Sequence, residues 1–307
     1  MSEEVEFSAR LADIARRVEA RLEAALHDEP AKHERVRPPR LLAAMRHGAL
    51  GGGKRLRAFL TIATAKALGG DGDEALTAGA AIECLHAYSL VHDDLPAMDD
   101  DDLRRGRPTV HRAFDEATAI LAGDALLTLA FELFADPAHF ADPSLRADLC
   151  LGLARAGGLA GMVGGQVLDM AAESAPQQAN AAEVQTIQAL KTGALLRFSV
   201  EAGARIANAS GSSLRALRAF GEALGEAFQI ADDVLDVESD ATTLGKAVGK
   251  DASRNKPTSV AALGLAGAKA RRDALAAAAE TALIAAGLGE GAADLRAAAR
   301  FAARRAT

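Results

Sequence analysis

The sequence predicts an all-α protein, a single helical domain over residues 1–307. Aromatics make up only 4% of it, Trp is absent, and Ala, Leu, Arg and Glu are abundant, a mixture that favours helices over sheets. Apolar residues recur at helical spacing through most of the chain. Nowhere does a strand-length stretch alternate apolar and polar. Length alone permits one large domain or two ordinary ones. The absence of a low-complexity linker or short-period repeat makes one helical bundle the economical arrangement.

Taken in order, residues 4–27 place Val5, Leu11, Ile14, Val18, Leu22 and Leu26 on one face of a first helix. Pro30, Pro38 and Pro39 break or redirect the chain. A short helix over about 40–48 leads into Gly51-Gly52-Gly53-Lys54-Arg55-Leu56-Arg57, and helix resumes to about Leu68. After the Gly-Gly-Asp-Gly turn at 69–72, a long helical pattern carries His86, Tyr88 and Asp93 and is ended or kinked by Pro96. Later helices are expected over 115–135, 144–172, 181–207, 211–238, 257–265, 268–286 and 291–305, between Gly, Pro, Asn or Ser.

Half of the residues are hydrophobic, enough for a sizeable core. The formal net charge of -7 argues against general binding to nucleic acid or to anionic membranes, which needs excess basic charge. Cys84 and Cys150 lie in apolar helical patterns without metal-ligand spacing and are expected as buried free thiols, which fits a reducing compartment. The opening MSEEVEFSAR is acidic and lacks a basic flank and apolar core, so no secretory signal is expected. No uncharged apolar run reaches the roughly 18 residues of a membrane span. The expectation is a cytoplasmic protein without stable membrane insertion.

The chain is organised around His92–Pro108, HDDLPAMDDDDLRRGRP, in which six carboxylates fall within ten residues and three arginines follow. Crowded carboxylates repel and raise one another's pKa unless a cation holds them ionised. A second cluster, Asp232-Asp233-Val234-Leu235-Asp236, lies far downstream. Asp232 and Asp236, four apart, share a helix face, with Asp233 one step round. In the first cluster Asp99 follows Asp93 by six residues, which a regular helix would turn about 120° away; Pro96 lets the chain loop back. Magnesium takes oxygen ligands, keeps several waters, and is commonly held by one or two carboxylates plus substrate phosphates.

Lys54, Arg57, Arg104, Arg105, Lys191, Lys246 and Lys256 could hold a polyanion against such metals. A solvated acidic loop is the plain alternative for one cluster, but not for two with scattered cations. A calcium loop would need D-x-[DN]-x-[DN]-G spacing, which neither cluster has. The Gly53-Lys54 pair lacks P-loop spacing and a preceding strand. Its glycines instead open a helix, where backbone amides and the converging Lys54 and Arg57 can receive phosphate oxygens; a plain helix start on the surface is the alternative for this segment alone.

These segments resemble the short-chain trans-prenyltransferases, the isoprenyl diphosphate synthases. The resemblance rests on GGGKRLR at 51–57, ECLHAYSLVHDDLPAMDDDDLRRGRPTVH at 83–111, GGQVLD at 164–169, KTG at 191–193, FQIADDVLD at 228–236 and LGKAVGKD at 244–251. It implies an all-α bundle around a deep central cavity, with the two acidic motifs facing each other across its mouth, in a homodimer. It implies three Mg2+ ions, replaceable by Mn2+, bridging Asp93 and Asp99 on one side and Asp232 on the other to an allylic diphosphate, with Asp94, Asp233 and Asp236 supporting.

Arg104, Lys191 and Lys246 would bind that diphosphate, and Lys256 is a further candidate. Lys54, Arg57, His86 and Arg105, with Gly53, would bind the diphosphate of isopentenyl diphosphate. Gln166, Thr192 and Gln229 match polar positions near the substrates, with Asp169 in support. The implied chemistry is ionisation of the allylic diphosphate, attack by the isopentenyl double bond, and loss of a proton to the departed diphosphate. His92 is expected to pack rather than to catalyse. Chain length would be set by Tyr88 and Ser89 beneath Asp93, an arrangement that goes with stopping at farnesyl; a geranyl or geranylgeranyl product is the alternative.

A terpene cyclase also ionises allylic diphosphates with magnesium, but usually lacks the second acidic motif and the GGKRLR element. An acidic helical protein that merely takes up divalent ions would leave Lys54, Arg57, Lys191 and Lys246 without a role.

Overall fold

A computed structural model describes residues 3–242 and 257–304. The all-α expectation holds: among the described residues nearly all regular structure is helix. The chain divides into two compact units: Ser8–Ile62 with Asp71–Cys150, and Met1–Phe7 with Ala63–Gly70 and Leu151–Thr307. We refer to them as the amino-proximal and carboxyl-proximal units.

In the order of the chain, the helices begin with α1 (Glu3–Ala25), α2 (Pro39–Ala49), α3 (Leu56–Ala67) and α4 (Gly72–Asp93). A four-residue turn of helix, α5 (Val110–Ala113), precedes α6 (Glu116–Ala135). There follow α7 (Pro143–Gly157), α8 (Met162–Glu173), α9 (Ala181–Gln188), α10 (Ala194–Ile206), α11 (Gly211–Thr242), α12 (Ser259–Ala285) and α13 (Ala293–Arg304).

The amino-proximal unit is built on α4. Asp71 caps it, its side chain accepting from the amides of Asp73 at 2.7 Å and Glu74 at 3.0 Å, so two orphan donors of the first turn are satisfied. Asp73 and Glu74 add negative charge where the helix dipole is positive. The middle of α4 is buried on most sides by small residues, including Ala75, Ala78, Ala80 and Ala81, which suits a helix with packed neighbours around it rather than a solvent face. Ala87, Val91 and Leu95 join Leu42, Met45, Ala119, Ala122 and Leu126 in one apolar core shared by α2, α4 and α6.

By length and composition α6 could cross a membrane. It contains Asp124 and Glu132, and Ala122, Leu126, Ala130, Leu133 and Phe134 are buried inside the unit.

Three helix boundaries differ from the sequence expectation. The stretch expected as one helix over 144–172 is broken between α7 and α8, where Gly157, Gly158 and Gly161 replace helical bonds by a turn from the Gly161 amide to the Gly158 carbonyl at 3.0 Å. The 181–207 stretch is continuous but passes through one π turn, Ala189–Gly193, between α9 and α10. The break expected near 266 falls at Gly264, whose φ of 71° kinks α12 in a region glycine enters at little cost.

The chain also forms a hairpin that the absence of strand alternation did not foretell. β1 (Leu103–Arg104) pairs antiparallel with β2 (Arg107–Pro108). The two residues between them, Arg105 (φ 53°) and Gly106 (φ 73°), supply the positive φ pair that a tight hairpin turn needs.

Both cysteines are free. Cys84 is fully buried and burial pushes its thiol up to about 12. Cys150 is only half-buried, a departure from the expected pair of buried thiols.

Candidate active site

In the amino-proximal unit, α4 ends at Asp93 and the chain turns back on itself. The Asp99 amide donates to the Asp93 carbonyl at 2.8 Å and the Asp101 amide to the Asp94 carbonyl at 3.3 Å. Pro96 lies inside this loop, and Asp100 takes a φ of 51° to close it. Asp93 and Asp99 therefore meet through a backbone reversal rather than along one helix face. Asp94 is buried and accepts from Arg104 Nε at 2.6 Å. Burial pushes its carboxyl up, against the pull of Arg104. Thus one predicted metal-supporting carboxylate is held by one predicted diphosphate-binding arginine.

The Gly51–Arg57 segment sits beside the hairpin. The Arg105 guanidinium donates to the Gly52 carbonyl, and a Cβ on Gly53 would lie 2.6 Å from Arg105 Nη1. Gly53 also takes a φ of 121°, so glycine there serves both the backbone and the arginine's approach.

Arg55 turns inward. It donates to Glu83 Oε2 at 3.3 Å, Glu19 Oε1 at 3.1 Å and the Ala49 carbonyl at 2.6 Å. Glu83 further accepts from the Ala58 amide at 3.3 Å. This buried pair fixes the loop that presents exposed Lys54 and half-buried Arg57. Sequence reasoning passed over Arg55 and Glu83; a charged residue within an otherwise apolar run of α4 was the available signal.

His86 lies in the field of four arginines. Burial first, and then Arg57, Arg105, Arg55 and Arg104, hold its imidazole well below the usual histidine range, so it is neutral at pH 7. Such a cluster attracts anions, and a neutral imidazole can donate its one N–H to an anion's oxygen without adding charge. Ser89 donates to the His86 carbonyl at 2.8 Å. Tyr88 packs edge-on to His92 with ring centroids 5.2 Å apart and leans on the α2–α4–α6 core. His92 Nε2 lies 3.0 Å from the Ile120 carbonyl, which places His92 as a strut between α4 and α6, in line with its expected packing role. His47, also missed in the sequence, meets the Pro108 carbonyl at 2.7 Å and Arg107 at 3.2 Å and pins the hairpin to α2.

In the carboxyl-proximal unit, α8, the π turn and α11 surround a hollow of about 390 Å³. At 100° per residue, Asp232, Asp236, Gln229 and Asp233 span an arc of about 100° on α11, and all four line it. Asp169 from α8, Lys191 and Thr192 from the π turn, Gln188 from the end of α9 and Thr258 before α12 also line it. Lys191 Nζ pairs with Asp169, and Thr192 Oγ1 donates to Gln229 Oε1 at 3.1 Å.

A π turn aims consecutive side chains differently from a regular helix and recurs at functional sites; here it carries Lys191 and Thr192. Gly165 allows the approach, since a Cβ there would sit 2.2 Å from the Lys191 amide nitrogen. Gln166 is half-buried on α8 and stands outside the residues lining the hollow.

Asp233 differs from its neighbours. It is 7% exposed and accepts from Gln188 Nε2 at 2.8 Å, the Ser259 amide at 2.7 Å and Gln229 Nε2 at 3.3 Å. Burial pushes its carboxyl up while these donors pull it down. Asp236 is exposed and Asp232 half-buried, both on the open side of the hollow. Lys246 and Lys256 lie outside the described residues.

Among the described residues no group of three or more His, Cys, Asp or Glu could by itself hold a metal ion. The donor set still suits a hard cation: paired aspartate oxygens, four residues apart, around a space wide enough for waters and phosphate oxygens, as magnesium sites shared with a substrate require.

All-α architecture, two acidic motifs and a basic complement define an isoprenyl-synthase class of protein. The chain belongs to the polyprenyl synthetase family, whose pattern matches residues 38–284. It is 48% identical over 233 residues to the farnesyl diphosphate synthase of Geobacillus stearothermophilus, covering 76% of this chain and 78% of that one. It is 50% identical over 228 residues to the farnesyl diphosphate synthase of Escherichia coli, covering 73% and 75%. The apo structure of an FPP/GFPP synthase from Zymomonas mobilis superposes with a TM-score of 0.85 at 40% identity, covering 97% of this chain and 99% of that one.

Proposed function

We propose that this chain is a farnesyl diphosphate synthase, a prenyltransferase that joins isopentenyl diphosphate first to dimethylallyl and then to geranyl diphosphate. The observation that carries the reading is the hollow in which Asp232 and Asp236 stand with Lys191, in a chain about half identical to two enzymes of that name. We read the two units as parts of one synthase domain.

Asp93, Asp99 and Asp232 would hold the magnesium ions, with Asp94, Asp233 and Asp236 in support. Bound magnesium neutralises charge that builds on the departing diphosphate. Arg104 and Lys191 hold the same diphosphate from the protein, joined by Lys246 and Lys256. Lys54, Arg57, Arg105 and neutral His86, beside Gly53, orient the diphosphate of isopentenyl diphosphate, so that its double bond meets the allylic carbon. Gln166, Thr192 and Gln229 flank the substrates. The proton lost at the end passes to the departed diphosphate. Tyr88, with Ser89 beside it, closes the cavity floor, about 7.5 Å below Asp93 at the usual rise.

The working form is a cytoplasmic homodimer. An apolar stripe on α8, with Val163 41% and Val167 61% exposed after Leu159 at 92%, is the kind of surface a second copy covers. Calorimetric titration with isopentenyl diphosphate tests the function: saturable binding is expected, whereas a terpene cyclase or an ion-binding helical protein would give none.

A further inference from the structure

We propose that Gln188 and Ser259 form a buried brace on Asp233, making Asp233 a positioning residue that sets the rotation of α11 rather than a metal ligand. The inference rests on the synthase reading of the second acidic motif and deepens it. Gln188 is 6% and Ser259 4% exposed. Gln188 Nε2 donates to Asp233 Oδ2, Ser259 Oγ donates to Gln188 Oε1 at 2.9 Å, and the Ser259 amide donates to the same Asp233 oxygen as Gln188. Gln229 donates to the other oxygen, Oδ1.

The Ser259 amide is one of the orphan donors of the first turn of α12, and the Thr258 side chain takes another by accepting from the Ala261 amide at 3.1 Å. Asp233 therefore ties together the end of α9, the middle of α11 and the start of α12. A buried carboxylate that already accepts from three protein donors has most of its roughly four acceptor sites occupied. Asp232 and Asp236 lie on the other side of the same arc, so any rotation of α11 about its axis moves both away from a cation they share. Groups that orient ligands in this way typically govern metal affinity by about 10–100-fold.

The test compares wild type, Gln188→Leu and Ser259→Ala as full-length protein. Calorimetry follows Mg2+ with inorganic pyrophosphate as the probe. Steady-state kinetics separate the KM for the allylic substrate from that for isopentenyl diphosphate, and hydrogen exchange is read at residues 257–262. Gln188→Leu is expected to weaken the Mg2+–pyrophosphate complex about tenfold, raise the allylic KM, leave the isopentenyl KM within about twofold, and speed exchange at the start of α12. Ser259→Ala keeps the backbone donor and shows the same pattern in smaller measure, and it carries the test if Gln188→Leu fails to fold. Faster exchange with unchanged pyrophosphate affinity in both variants would overturn the brace while leaving the synthase intact. Failure of wild type to bind Mg2+ and pyrophosphate would overturn the site reading and the brace with it.

Discussion

If Asp93 and Asp232 act as proposed, replacing either by alanine removes a carboxylate that helps to hold charge on the leaving diphosphate, an electrostatic contribution worth about 10²-fold or more in turnover. Asp93→Ala and Asp232→Ala should each lose that much while the helical circular dichroism signal stays; near-normal turnover in either would remove that residue from the mechanism. Tyr88 is half-buried at the level of the α2–α4–α6 core, so Tyr88→Ala opens space below Asp93. Chromatography should then show products longer than farnesyl, and an unchanged spectrum would clear Tyr88 of setting the stop. Clustered carboxylates and spaced cations stand out in a sequence because their chemistry shows in their letters. Gln188, Ser259, Arg55 and Glu83 were not legible, because the pairings of Arg55 with Glu83, of Ser259 and Gln188 with Asp233, and of Ser259 with Gln188 span 26 to 71 positions, and spacing along the chain carries no trace of such pairs.

Among the elements, the π turn Ala189–Gly193 brings Lys191 and Thr192 to the carboxyl-proximal hollow. Helical periodicity over 181–207 foretold a helix there, yet one inserted residue per turn barely disturbs that pattern, so the π turn stayed hidden. Its dependence on Gly165 is sharp. Gly165→Ala places a Cβ 2.2 Å from the Lys191 amide nitrogen, too close to exist, so α8 or the π turn must move. Overpacking of this sort costs about 1–3 kcal/mol, readable as a lower urea midpoint. Turnover should fall further than stability alone explains, because Lys191 moves with its backbone; wild-type kinetics in this variant would show that Lys191's position is not critical. The loop from Asp94 to Asp102 is the opposite case. Pro96 and the impossibility of joining Asp93 and Asp99 along one helix announced a reversal, and the Asp99 amide to Asp93 carbonyl bond is that reversal.

For the whole molecule, the fold class was the most legible feature, since alanine-rich helical periodicity runs through most of the chain and among the described residues leaves only the short β1–β2 hairpin outside it. The two-unit division was not legible, because α1, α3 and α7 each run through a boundary between units and no linker marks it. The most direct measurement of the central claim, that two acidic motifs and their cations serve one prenyl transfer, is incubation with dimethylallyl diphosphate and labelled isopentenyl diphosphate in magnesium, followed by product sizing. The account predicts label in a fifteen-carbon prenyl diphosphate, lost on adding a chelator and restored by excess Mg2+. Consumption of neither substrate in the presence of Mg2+, or label appearing in a cyclised hydrocarbon, would contradict it.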